Sequence, residues 1–207
     1  HPQHRRQRQM CIRDRSSMED VYAQANLIIK VKEPLPQEYA LIKPQHTLFT
    51  FFHFAASLTL TEAMLKSGAT CIAYETIEDS KGGLPLLAPM SEVAGRLAGQ
   101  QAAKYLEKPQ GGSGILVGGV TGVAPAKALV LGGGVVGTSA AAVLVGMGAA
   151  VTICDINESR LTALEHIFDG NIQTLFATEE NILATLPLID AVIGAVLVKG
   201  AKAPKLI

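Results

Sequence analysis

Short apolar runs alternate with helix-forming stretches along most of this chain, which is typical of an α/β fold. Strands are predicted at residues 27–31, 47–52, 70–74, 127–131, 150–154, 172–176 and 189–195. Helices are predicted at residues 57–67, 90–106, 138–147, 159–168 and 179–186. Strands joined by helices pair in parallel within one sheet. The pattern therefore predicts a Rossmann-type, doubly wound parallel sheet in the second half, and part of a second α/β lobe in the first.

The same pattern divides the chain into three parts. Residues 18–88 are predicted to be part of a substrate or catalytic lobe, and residues 89–207 a linking helix with a nucleotide-binding domain. Ser91 is well placed to act as the N-cap of the linking helix. Residues 1–17 hold five arginines and one aspartate, with neither periodicity nor an apolar stretch. We expect this segment to be a non-native or disordered leader.

Composition narrows the class of protein. Hydrophobic residues make up 48% of the chain and charged residues 17%, which favours a well-buried globular protein over a disordered one. The 18 basic and 18 acidic residues cancel, so net charge gives no reason to expect a nucleic-acid or membrane partner. Cys11, Cys71 and Cys154 are too few and too dispersed for a metal site. They suggest a reducing compartment, with the cytoplasm as the expected location.

A glycine-rich turn carries the clearest chemical signal. Gly132, Gly134 and Gly137 form a G-x-G-x-x-G motif between a predicted buried strand and a predicted helix. The first glycine permits a tight turn, the second leaves room for a pyrophosphate, and the third lets helix and strand approach closely. Unpaired amides at the helix N-terminus would face the anion. The motif therefore predicts a dinucleotide site.

An acidic residue after the next strand indicates which dinucleotide. Asp155 lies 23 residues beyond Gly132 and follows the run at residues 150–154. Its carboxylate could accept hydrogen bonds from the adenosine ribose hydroxyls and would repel the 2′-phosphate of NADP. Arg160, five residues further on, is the one nearby group that could accommodate such a phosphate. The combination favours NAD as the cofactor.

Reactive groups in the first lobe follow predicted strands. His53 comes directly after an apolar strand, and Lys30 and Lys32 lie at the end of another. A lysine that holds a carboxylate or carbonyl, with a histidine that exchanges a proton near neutral pH, would suit oxidation of an amino or hydroxy acid. Periodicity places both lysines on one face and does not choose between them.

Several separated blocks resemble the bacterial alanine dehydrogenase family. They are KVKEP at 30–34, LFTFFHFAAS at 48–57, AYET at 73–76, LPLLAPMSEVAGR at 84–96, GGVTGVAPAKALVLGGGVVG at 118–137, DIN at 155–157 and IGAVLVKGAKAPKL at 193–206. The resemblance covers residues 18–207. It implies an NAD-dependent oxidoreductase that reversibly converts L-alanine to pyruvate and ammonia, as in L-alanine catabolism. It also implies a two-lobed subunit that assembles as a homohexamer.

The resemblance assigns residues one by one. It gives Lys32 the substrate-binding role and His53 the catalytic role. Beyond the motif glycines, the cofactor-binding positions that it implies are Ser91, Val135, Val136, Asp155, Arg160, Val196 and Leu197. One position departs, because Ala177, followed by Thr178, stands where the family has a serine that contacts the adenosine end.

Two family residues have no counterpart here. The family's substrate-binding arginine lies before the first matching block, and its catalytic aspartate lies after the last. We therefore expect a fragment, truncated at both ends, with little or no turnover. Two other functions stay open: a nucleotide-binding domain like that of the transhydrogenase alpha subunit, and a non-catalytic NAD-binding module.

Overall fold

A computed structural model describes residues 15–198 and 205. The chain divides into two compact units, His1–Ile77 and Glu78–Ile207, and each is described by itself. The division lies earlier than the boundary predicted between residues 88 and 89. Both units are built from parallel strands and helices, which confirms the predicted α/β class.

The first unit is a three-stranded parallel sheet. Its strands are β1 (Leu27–Ile29), β2 (Thr47–Thr50) and β3 (Thr70–Ala73), in the order β1-β2-β3. Its helices are α1 (Met18–Gln24) and α2 (Leu58–Ser67), with short 3-10 turns at Pro36–Leu41, Phe54–Ala56 and Tyr74–Thr76. Alternate strand residues point to opposite faces, so Ile28 and Leu48 join the core while Leu27 and Ile29 are exposed.

Helix α1 was not predicted, and its N-terminus lies at the edge of the expected leader. The hydroxyl of Ser17 accepts a hydrogen bond from the Asp20 N–H at 3.1 Å, and this N-cap starts the helix. The Ser16 hydroxyl also donates to the Asp20 carboxylate at 2.7 Å. These serines are therefore part of the helix start, and residues 1–14 of the expected leader lie outside the described residues.

The second unit is a four-stranded parallel sheet. The strands β4 (Lys127–Leu131), β5 (Ala150–Asp155), β6 (Gln173–Phe176) and β7 (Ala191–Gly194) pair in the order β6-β5-β4-β7. The helices are α3 (Ala88–Tyr105), α4 (Val135–Gly146), α5 (Glu158–Ile167) and α6 (Glu179–Thr185), with 3-10 turns at Lys108–Gln110 and Leu186–Leu188. The strand order reverses between β4 and β7, and ligands of such sheets bind outside a reversal of this kind.

Helix α3 begins before Ser91, so the prediction that Ser91 is its N-cap was wrong. The cap position is Leu87, and Pro89 stands in the first turn, where a missing N–H costs nothing. The Ser91 N–H donates to the Leu87 carbonyl at 3.0 Å, inside the helix. Gly95 and Gly99 then pack α3 closely against α4, since a Cβ added at Gly99 would lie 2.8 Å from Val143 Cβ.

Two buried layers cover the second sheet. Val130 and Ile153 pack against Leu144 of α4, while Leu129, Leu131 and Cys154 form a cluster with Ile182 of α6. This burial on both faces is expected of a parallel sheet and explains the continuous apolar run of β4. Burial raises the pKa of the Cys154 thiol, aided by the charge of Asp155, and burial also raises that of Cys71. No helix among the described residues is long and apolar enough to cross a membrane.

Candidate functional site

The glycine-rich turn of the second unit leaves strand β4 at its carboxyl end. Gly132 has φ +104°, in the left-handed region, and a Cβ there would lie 2.8 Å from the Ala195 carbonyl oxygen. A Cβ at Gly137 would collide with the Gly132 carbonyl oxygen. By contrast, a Cβ at Gly134 would meet nothing within 4 Å. Two glycines therefore make the turn possible, and the third borders open space.

Helix α4 starts at this turn with free amides. Its N-cap is Gly134, which has no side chain to accept a hydrogen bond. The first helical bond runs from the Thr138 N–H to the Gly134 carbonyl at 2.9 Å. The N–H groups of Val135, Val136 and Gly137 precede it and have no acceptor within the helix. Such amides, together with the positive end of the helix dipole, suit a phosphate group.

Asp155 at the end of β5 is bound to the turn. Its Oδ2 accepts a hydrogen bond from the Gly133 N–H at 2.7 Å, and its Oδ1 accepts one from the Asn157 N–H at 2.9 Å. A carboxylate has about four lone-pair sites. Roughly two of these stay available for ribose hydroxyls, so the residues present fit a dinucleotide.

Arg160, in the first turn of α5, is also bound to the turn. Its Nε donates to the Gly133 carbonyl at 2.7 Å, and its Nη2 donates to the Thr138 hydroxyl at 2.8 Å. The Gly133 N–H thus donates to Asp155, and the Gly133 carbonyl accepts from Arg160. The guanidinium has a structural partner on each of two nitrogens, which makes it less available to a 2′-phosphate.

The remaining cofactor candidates differ in their surroundings. Val196 follows β7, and its Cγ2 would lie 3.1 Å from a Cβ at Gly132, so it borders the turn. Leu197 beside it is 61% exposed.

Ser91 lies one helical turn before Gly95, whose added Cβ would meet Ser139 of α4. Ala177 has no hydroxyl, and the Thr178 hydroxyl caps α6 by accepting from the Asn181 N–H at 3.1 Å.

In the first unit, the structure separates the two lysines that periodicity left equivalent. Lys30 Nζ contacts both carboxylate oxygens of Glu38, which is 5% exposed. The same carboxylate accepts hydrogen bonds from the Tyr22 hydroxyl and the Leu35 N–H. Burial would raise the pKa of Glu38, but the bonds from Lys30, Leu35 and Tyr22 outweigh burial and hold this pKa below its usual value. Lys30 is therefore a structural residue.

Lys32 has a different environment. Its side chain is exposed and forms no hydrogen bond or ion pair with any described residue. Its backbone carbonyl accepts a hydrogen bond from the Thr50 hydroxyl at 2.9 Å. Lys32 thus has a hydrogen-bonded backbone carbonyl and an ammonium with no partner among the described residues.

His53 lies three residues beyond β2 and is held by two glutamates. Its backbone is left-handed, with φ 51°, a strained conformation for a residue with a Cβ. Glu75, just after β3, accepts hydrogen bonds from the N–H groups of Phe52 and His53, at 3.1 and 2.7 Å. Nδ1 of His53 lies 3.3 Å from a carboxylate oxygen of Glu33, which leaves Nε2 for a ligand.

The surroundings of Glu33 lower its pKa and so favour its ionised form. A hydrogen bond from its own backbone is the largest cause that lowers the pKa of Glu33, against the opposing effect of burial. The hydrogen bond to His53 and the charges of His53 and Lys32 lower it further. A carboxylate beside Nδ1 fixes the tautomer and orientation of an imidazole.

Sequence reasoning missed Glu33, Glu38, Thr50 and Glu75. A signal for Glu75 existed, because it directly follows a strand and the carboxyl ends of parallel strands share one edge with His53. Nothing local indicated Glu38 or Thr50. Among the residues that the structure describes, no group of three or more His, Cys, Asp or Glu could hold a metal ion.

Two family models match almost the whole chain. The N-terminal domain model of alanine dehydrogenase/PNT matches residues 11–94, and the corresponding C-terminal domain model matches residues 98–207. The chain belongs to the alanine dehydrogenase/PNT family. The two matches together span both units, so the family covers the residues bound to the glycine-rich turn and the Lys32–His53 segment alike.

Individual members of the alanine dehydrogenase/PNT family are similar to this chain over most of its length. The alanine dehydrogenase of Mycobacterium tuberculosis is 51% identical over 189 residues, which are 91% of this chain and 51% of that protein. The alanine dehydrogenase of Bacillus subtilis is 51% identical over 183 residues, which are 88% of this chain and 48% of that protein. A solved L-alanine dehydrogenase superposes with a TM-score of 0.82 at 48% identity, over 93% of this chain and 53% of that one.

A more distant structure shares the fold alone. A transhydrogenase from Sinorhizobium meliloti superposes with a TM-score of 0.70 at 22% identity, over 90% of this chain and 54% of that one. The chain spans about half the length of the curated relatives it matches.

Proposed function

We propose that this chain is the part of an NAD-dependent alanine dehydrogenase that binds the substrate through Lys32 and His53 and the cofactor through the glycine-rich turn. The observation that carries the proposal is the free ammonium of Lys32 on the segment that also bears Glu33, the partner of His53. The identity of about 50% to alanine dehydrogenases supports it.

The cofactor residues act by position and charge. The amides of Val135, Val136 and Gly137 would hold the pyrophosphate where Gly134 leaves space. Asp155 would accept hydrogen bonds from the adenosine ribose, and its charge disfavours the 2′-phosphate of NADP. Val196 would pack against the bound molecule, with Leu197, Ser91 and Arg160 at its margin. When bound, NAD supplies the acceptor for the hydride from the substrate.

The substrate residues would bind L-alanine or pyruvate and move protons. The Lys32 ammonium would pair with a carboxylate or carbonyl oxygen of the substrate. In the forward direction, Cα of L-alanine loses a hydride and its nitrogen a proton, which leaves an imine. Water then adds to the imine carbon, and ammonia departs as pyruvate forms. His53 Nε2 would take the proton from that water and return it to the departing nitrogen.

The cellular location and the assembly of the protein are part of the same proposal. We propose a reducing, cytoplasmic location, which the few and dispersed cysteines favour. We propose a homohexameric assembly, as the resemblance implies.

A chimera tests the activity. In this chimera, the aligned residues of this chain replace the matching segment of the Bacillus subtilis alanine dehydrogenase. We expect alanine-dependent formation of NADH, which NADP does not support. His53→Ala should lower kcat by about 100-fold or more while the Kd for NADH is kept. Lys32→Ala should raise the KM for alanine about 10-fold or more.

Matched controls exclude general damage. His166→Ala and Lys43→Ala change exposed residues of the same types and should leave kcat and both KM values unchanged. A chimera that binds NADH but never oxidises alanine would overturn the dehydrogenase proposal in favour of a non-catalytic module. The 207-residue chain by itself should bind NADH with little or no turnover.

A further inference from the structure

Thr50 is a buried polar residue that the chemistry described so far does not use. It is the last residue of β2 and is fully buried, on the same face as Leu48. A hydroxyl without a hydrogen bond in such a place costs about 1–3 kcal/mol, and valine would fill the same volume without that requirement. The Thr50 hydroxyl therefore needs a partner. Its nearer acceptor is the Lys32 carbonyl at 2.9 Å, and the Phe51 carbonyl lies at 3.5 Å.

This bond extends the pairing of β1 and β2 beyond the strands. Backbone pairing ends in register at Ile29 and Phe49. Two backbone hydrogen bonds then follow, from the Lys30 N–H to the Phe49 carbonyl at 3.2 Å and from the Phe51 N–H to the Val31 carbonyl at 3.3 Å. The Lys32 carbonyl is the next acceptor along this segment, and a side chain from β2 takes the place of the backbone donor.

The position of Lys32 makes this contact relevant to the substrate. Its ammonium ends a flexible four-carbon side chain, so the location of the charge depends on where the backbone is fixed. His53 follows β2 by three residues, and Glu75 fixes its backbone. The Thr50 hydroxyl therefore connects the strand that leads to His53 with the segment that bears Lys32.

We propose that Thr50 is a positioning residue for Lys32, which it would hold in place for the substrate carboxylate or carbonyl. The inference rests on the proposed function, because it assumes that Lys32 binds the substrate. Removing the hydroxyl leaves the charge of Lys32 intact but releases its backbone. A misplacement of about 1 Å in a binding group costs up to 100-fold in catalysis.

The test compares three variants in the chimera. Thr50→Val removes the hydroxyl at nearly constant volume and should raise the KM for alanine and for pyruvate about 10-fold, with the KM for NAD unchanged. Thr50→Ser keeps the hydroxyl and should restore the KM for alanine to within about 3-fold of the unsubstituted value. Thr47→Val makes the same change at a half-buried position of the same strand and should have no effect.

A second measurement uses the 207-residue chain itself. Hydrogen–deuterium exchange of the peptide that spans residues 30–35 should be faster in Thr50→Val and unchanged in Thr50→Ser and Thr47→Val. Unfolding in urea shows whether Thr50→Val stays folded. Equal KM values for alanine in Thr50→Val and the unsubstituted chimera would overturn the inference. So would an equal rise of all KM values with unchanged exchange at residues 30–35, which would indicate a merely structural role.

The unsubstituted chimera separates the two proposals. If it does not oxidise alanine, the proposed function fails, and the role given to Lys32 fails with it. If it oxidises alanine and Thr50→Val leaves the KM for alanine unchanged, only the role of Thr50 fails.

Discussion

Lys30 and Glu38 form an ion pair in the interior of the first unit, whereas the Lys32 ammonium has no ion pair with any residue that the structure describes. Two lysines that alternate along one strand end thus have opposite roles. One charge neutralises a buried carboxylate, and the other stays exposed. Glu38, which lies eight positions beyond Lys30 along the chain, makes this difference between the two lysines.

Replacing each lysine by methionine should separate stability from binding. Lys30→Met leaves the buried Glu38 carboxylate without its cation and should lower the free energy of unfolding by about 3 kcal/mol. Lys32→Met changes an exposed side chain and should alter it by less than about 0.5 kcal/mol. Urea unfolding of the 207-residue chain measures both. Equal effects would show that the two side chains are equivalent in solution.

Acid should lower the free energy of unfolding of the first unit by protonating Glu38. The pKa of Glu38 in the folded state is below its usual value, so its contribution to stability is present above the usual carboxyl pKa. That contribution is lost as the pH falls through the lowered pKa. The free energy of unfolding should therefore decline from about pH 5 towards about pH 2. Glu38→Gln should flatten this dependence, whereas the exposed control Glu62→Gln should preserve it.

A single methyl group should block the phosphate site without unfolding the protein. Gly134 has a negative φ and open space around its missing Cβ, so Gly134→Ala should leave the free energy of unfolding within about 1 kcal/mol. The same methyl would occupy space that the pyrophosphate needs, and the Kd for NADH should rise about 10-fold or more. Fluorescence titration with NADH measures this effect.

Substitutions at two other glycines serve as comparisons for Gly134→Ala. Gly146→Ala, at the far end of the same helix, also meets open space and should leave the Kd for NADH unchanged. Gly137→Ala should destabilise the unit as well as abolish binding, because its Cβ would collide with the Gly132 carbonyl oxygen. Tight NADH binding by Gly134→Ala would place the phosphate elsewhere.

Asp155 should determine the choice between NADH and NADPH. Asp155→Asn removes the negative charge and keeps one of the two oxygens that accept from the Gly133 and Asn157 N–H groups. We expect about 10-fold weaker NADH binding, since hydrogen bonds to a charged group contribute about 1.5–3 kcal/mol. The ratio of NADPH to NADH affinity should rise. Asp190→Asn is the control, because Asp190 caps the Lys127 N–H at the opposite end of the sheet. An unchanged affinity ratio in Asp155→Asn would contradict this role.

Local pattern was sufficient for most of the fold. Each predicted strand is present, with ends that differ by up to a few residues, because runs of β-branched and other apolar residues favour strands over a few positions. Ser91 shows the limit of such reasoning. Serine is a good N-cap, but Pro89 allows α3 to begin earlier, and one turn of helix then precedes the serine.

The sequence by itself determined the α/β class, the glycine-rich turn and the acid that follows it, because each depends on residues close together along the chain. Only the tertiary structure paired Lys30, and not Lys32, with the buried Glu38 carboxylate. It also brought Thr50 to the Lys32 carbonyl and Glu75 to the His53 amide. Those contacts join residues that are 18 and 22 positions apart. They exist because parallel pairing places the carboxyl ends of separate strands at one edge, where each buried polar group must find a partner.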